Sequence, residues 1–111
     1  MLRAANAAMA ALLELAALAG FSIFGWSLAS ALPLQLLSSI ACAGAISLAW
    51  SRWAAPNSPH RLTGAALTAF RLTVFAGATA AIMALGHPVL AATFAGFALT
   101  HIALAAAIRA L

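Results

Sequence analysis

The 111-residue chain has no Lys, no Asp and no Tyr, and only one Glu and one Cys. Charged residues make up 5% of it and hydrophobic residues 67%, where a soluble domain is about a quarter charged and half apolar. That is too little polar material to cover a water-facing surface, so an ordinary soluble enzyme and a disordered tail are both excluded. The net charge of +4 comes from five scattered Arg, not from the clustered basic face of a nucleic-acid-binding domain, and no nucleic-acid partner is expected. The single Cys42 admits no intrachain disulfide and is a poor metal site alone, so it reads as a small packed hydrophobe. No phosphate-cradling, zinc-protease, nucleophile-elbow or C-x-x-C motif is present. With so few nucleophiles, bases and metal ligands, the sequence predicts no catalytic site, no metal and no cofactor.

What the chain has is length in apolar runs. A membrane-spanning helix needs roughly 20 mostly apolar residues, and segments of that kind cover about 4–29, 34–54, 65–86 and 88–110. Ser30-Ala31-Leu32-Pro33 breaks the first from the second, because Pro suits only the first turn of a helix. The polar stretch Pro56-Asn57-Ser58-Pro59-His60-Arg61 separates the second from the third. Gly86-His87-Pro88 separates the last two, with Gly at a C-terminal cap and Pro opening the next helix. Closed β-barrels need alternating polar and apolar residues, which are absent, so the expected fold is all-α: a single polytopic domain of four transmembrane helices in an up-down-up-down bundle. The first apolar run is longer than a signal-peptide h-region and is expected to be a retained helix.

Arginine placement predicts orientation. Arg3, Arg52, Arg61 and Arg109 fall on one side of a four-span bundle, while the 1–2 and 3–4 loops carry no Lys or Arg. The positive-inside rule puts both termini in the cytoplasm. Trp50 and Trp53 are expected to join these arginines as anchors at the inner interface, and Trp26 to approach the outer one.

The residues costly to bury are Glu14, Arg71 and His101. A charge at the bilayer centre costs at least about 2.5–3.5 kcal/mol. At 1.5 Å per residue, their distances from the inner anchors Arg3, Arg61 and Arg109 are roughly 16, 15 and 12 Å. The levels agree within about one turn, which predicts an intramembrane polar cluster with a Glu14–Arg71 ion pair and His101 nearby. Such a cluster either fixes helix register or serves as a proton relay or cation site. His87 and His60 lie in turns at other levels. Roughly a third of the residues are Ala, and small-xxx-small spacings (Ala16-Gly20, Thr73-Gly77-Ala81, Ala92-Gly96-Thr100) are candidate contact seams. Four short spans of small residues are expected to enclose little volume.

Several stretches resemble the YrdB-like family of small four-helix bacterial membrane proteins of unknown function. They are Leu12-Leu13-Glu14-Leu15-Ala16-Ala17-Leu18 followed by Gly25-Trp26, then Trp50 and Ala55-Pro56-Asn57-Ser58-Pro59-His60-Arg61-Leu62, then Val74-Phe75 and Gly86-His87-Pro88. The chain is also similar in length and in its helix-1 Glu14 to the small multidrug resistance transporters. It lacks their aromatic-lined cavity and their weak Lys/Arg bias, and Arg71 would repel a cationic drug. The leading expectation is a non-catalytic structural or accessory subunit of the bacterial cytoplasmic (inner) membrane. Its partners would be the lipid bilayer and either copies of itself (a homo-oligomer) or a larger membrane protein complex, with the Glu14–Arg71 pair setting register. A small proton-coupled transporter using Glu14 is one alternative. A pigment- or haem-contacting subunit using His101 or His87 is the other.

Overall fold

The structure, a computed structural model, describes residues 2–55 and 57–110, with side chains as far as residue 108. Among the described residues there are four helices and no strand: α1 (Leu2–Ser27), α2 (Leu32–Trp53), α3 (Gly64–Ala84) and α4 (Pro88–Ala110). All four are long and apolar enough to cross a membrane. The helices lie where the four apolar segments were drawn, with ends displaced by up to two residues, and local chemistry accounts for the differences. α1 stops at Ser27 because the Leu28 amide turns back to the Gly25 carbonyl at 3.2 Å. α2 starts before Pro33 because the ring sits in the first turn, where a missing N–H costs nothing.

The α3–α4 joint is a Schellman closure. Gly86 takes φ +89°, its amide donates to the Met83 carbonyl at 3.0 Å, and the His87 amide donates to the Ile82 carbonyl at 3.3 Å. The His87 carbonyl then accepts from Ala91 at 2.9 Å, so the residue that ends one helix begins the next. The α2–α3 loop is tied by its own polar groups. The Ser58 hydroxyl donates to the Arg52 carbonyl, the Leu62 amide donates to the Trp53 carbonyl at 2.8 Å, and Arg61 Nε donates to the Ala54 carbonyl at 3.2 Å. Arg61 thereby caps the Ala54 carbonyl at the C-terminal end of α2, a position that favours a cation.

The core belongs to three helices. Leu13 and Ala17 of α1, Phe75, Ala78 and Ile82 of α3, and Ala91, Phe94 and Ala98 of α4 form one buried cluster. On α4 the buried residues Ala91, Phe94, Ala98, His101 and Ile108 keep alternating three- and four-residue steps once half-buried Ala105 is counted, the spacing of a packed helical seam. Phe75 meets Phe94 edge to face at 5.9 Å.

Helix α2 has no fully buried residue and packs along α1. The contact is close: a Cβ built on Gly25 would stand 2.6 Å from the Ser38 carbonyl oxygen and 3.0 Å from Cys42 Sγ. Ser39 Oγ donates across the same seam to the Ser22 carbonyl at 2.9 Å. Trp53 also meets Phe70 of α3 edge to face. Helix α1 is therefore the hub, with α2 on one side and α3 and α4 on the other. The small-residue spacings divide accordingly. Gly20 packs on Ile82 and Gly77 on Phe21, whereas a Cβ built on Gly96 would meet no neighbouring element within 4 Å and Ala92 and Thr100 are exposed.

Candidate functional site

The half-buried side chains Glu14 and Arg71 come to the same place. Each lines two neighbouring cavities, together with Ala11 and Trp50. The first cavity, about 580 Å³, lies between α1, α2 and α3 and is walled by apolar groups including Leu15, Leu18, Ile46, Phe70 and Val74. The second, about 590 Å³, lies toward the arginine-rich end of α1, α3 and α4, where Arg3, Arg61 and Thr63 form its rim and Asn6, Glu14, Arg71 and His101 its polar wall. Both volumes are within the roughly 300–1,000 Å³ of ordinary ligand sites. Both are half-open hollows between the helices and are not sealed inside the bundle. Ala7, Ala10, Ala11, Ala54, Gly64 and Ala105 stop short of the facing helices, and that shortfall is the space.

Helical spacing builds the polar wall. Arg3, Asn6, Ala10 and Glu14 succeed one another at three- and four-residue steps on one face of α1, and Gly64, Leu67 and Arg71 do the same on α3. His101 is only 1% exposed. Its ring packs edge-on against Phe75, and Nδ1 donates to Asn6 Oδ1 at 2.8 Å. With Nδ1 carrying the proton, the neutral ring leaves Nε2 as an acceptor, and Nε2 is buried with no hydrogen-bond partner among the described residues.

Trp50 does not simply float at the interface: it lines both cavities, and its indole N–H is likewise buried with no partner among the described residues. Trp26 and Trp53 are exposed, as are Arg3 and Arg52, while Arg61 is half-buried between its cap and the second cavity. The Arg109 side chain lies outside the described residues. His60 and His87 are exposed in their turns, away from His101. Cys42 is half-buried against Gly25. No group of three or more His, Cys, Asp or Glu able to hold a metal ion occurs among the described residues.

Sequence reasoning missed Asn6 and the inward setting of Trp50. The available signal for Asn6 was its register: it stands eight residues before Glu14, on the same helical face, in a run of otherwise apolar residues.

No curated protein and no solved structure matches the chain. A family model described as "Protein of unknown function (DUF2568)" matches residues 8–108, which include Glu14, Arg71 and His101, the whole of α2 and α3 and most of α1 and α4. The chain belongs to the DUF2568 family.

Proposed function

We propose that this protein is a non-catalytic component of the bacterial cytoplasmic membrane that holds a small ligand in the inner half of its helical bundle. In this reading both termini face the cytoplasm, and the protein works as an accessory unit beside copies of itself or a larger membrane complex. The observation that carries the reading is the convergence of Glu14 and Arg71 on both cavities. Two ionisable groups at membrane depth are costly to insert and mark a functional site by default. Here they border enough space for a ligand instead of being sealed into a packed seam. The one-sided arginines support the orientation. The resemblance of the stretches around Glu14 and Gly25-Trp26 to the YrdB-like family supports the bacterial assignment.

Native mass spectrometry of the protein released from mild detergent tests the binding role. The expected result is a retained small-molecule mass that is lost in Ala11→Leu, whose longer side chain enters both cavities. A bare chain under every mild condition counts against a binding role, and an absorption spectrum of the same sample tests for a pigment or haem.

A second reading, a small proton-coupled transporter, draws support from the position of Glu14, which a solute in either cavity would meet. It predicts that Glu14→Gln abolishes proton-dependent flux in reconstituted vesicles. Equal flux in variant and parent would remove Glu14 from that role.

A further inference from the structure

Resting on the binding reading above, we infer that the ligand is a single-chain amphipathic acid, a carboxylate or phosphate monoester with a long apolar tail. Its acidic end would sit in the second cavity and its tail in the first.

Three observations converge on this chemistry. The second cavity is lined by three guanidinium groups, Arg3, Arg61 and Arg71, against one carboxylate, Glu14, so its electrostatics favour an anion. Arginine forks match the paired oxygens of carboxylate and phosphate groups. The first cavity offers almost nothing but hydrocarbon, and a ligand that filled it alone would have no use for the charges beside it. Finally, the cavities are contiguous in their lining: Ala11, Glu14, Trp50 and Arg71 belong to both.

The arrangement also has a direction. The basic rim at Arg3 and Arg61 lies at the end of the bundle where α1 begins and α3 follows its loop, and the apolar cavity lies deeper, level with Leu15–Leu18 and Phe70–Phe75. An acid entering from that leaflet keeps the orientation it has in the bilayer, head at the surface and tail toward the centre. Little of its hydration is lost before the arginines replace it. The first cavity, about 580 Å³, is a single apolar slot, so a single chain is the better fit.

The test uses the full chain with Trp26→Phe and Trp53→Phe, leaving Trp50 as the reporter, in phosphatidylcholine nanodiscs. A mid-chain-brominated fatty acid and a brominated lysophosphatidate are compared with the matching brominated alcohol and with inorganic phosphate. The expected result is saturable quenching of Trp50 by one or both acids at about tenfold or lower concentration than by the alcohol, and no competition from inorganic phosphate at similar levels. Arg71→Gln with Arg61→Gln is expected to erase the preference. Val74→Phe, which intrudes on the apolar cavity and leaves the charges in place, is expected to weaken both acids, and its helix content by circular dichroism guards against misfolding. Equal quenching by alcohol and acid, or an acid preference that survives loss of both arginines, overturns the inference. If native mass spectrometry retains a neutral or cationic mass, the binding role stands and the acid is wrong. If no mass is retained and no probe saturates, both fail.

Discussion

Gly25 of α1 and Ser38 of α2 are so close that a single added methyl would stand 2.6 Å from a backbone oxygen. Backbone cannot yield as a side-chain tip can, so the helices themselves would have to part. Gly25→Ala is therefore expected to destabilise the fold by about 1–3 kcal/mol, read as an earlier unfolding midpoint in a mixed-micelle denaturant titration. Gly44→Ala and Gly96→Ala face open space and should leave the midpoint unchanged or slightly raised. A tolerant Gly25 would mean that α2 does not depend on this seam.

Gly86 is sensitive for a different reason. Nothing lies within 4 Å of the position of its missing side chain, but φ is +89°. Gly86→Ala should cost about 1–2 kcal/mol through backbone strain alone, and Gly86→Asn less, since Asn tolerates left-handed conformations. The ranking of the two midpoints separates strain from crowding.

The Asn6–His101 hydrogen bond joins the first helix to the last. Removing Asn6 leaves a buried ring nitrogen without its partner, and intramembrane bonds of this kind contribute about 0.5–2 kcal/mol. Asn6→Ala should lose that amount, while Asn6→Leu combined with His101→Phe should recover part of it by leaving no polar group behind. A double-mutant cycle with a coupling near zero would show that the contact carries no stability.

Orientation can be read with one thiol. In a Cys42→Ala background, Ser58→Cys in the arginine-rich loop should react with a membrane-impermeant maleimide only after the cytoplasmic face is opened. His87→Cys in the opposite turn should react in intact spheroplasts. The reverse pattern would invert the proposed topology.

The four helices were legible because their breaks are chemical: Pro33, the Pro-Asn-Ser-Pro loop and Gly86-His87-Pro88 interrupt runs that nothing else interrupts. Depth counted along each helix puts Glu14, Arg71 and His101 at one level, and all three line the second cavity. Which face of each helix turns inward was not legible. In a chain rich in Ala and Leu on every side, burial leaves no periodic trace, and the regular steps from Ala91 to Ile108 stand out only once the neighbours are known. The close seam at Gly25 was hidden for the same reason, since Gly96 has equally plausible small neighbours and packs against nothing. The cavities escaped notice because alanine is small and apolar, so it fits a tight interface and an unfilled space equally well.

The hub position of α1 has a consequence for how the protein is made. The α1–α2 hairpin emerges first and can close at once through Gly25, Ser38 and Ser39, but this engages only one side of α1. Asn6 must wait in the bilayer until α4 is inserted and brings His101. During biogenesis, then, the nascent hairpin carries an amide whose partner on the last helix has yet to emerge, and delayed release of the later segments would prolong that wait.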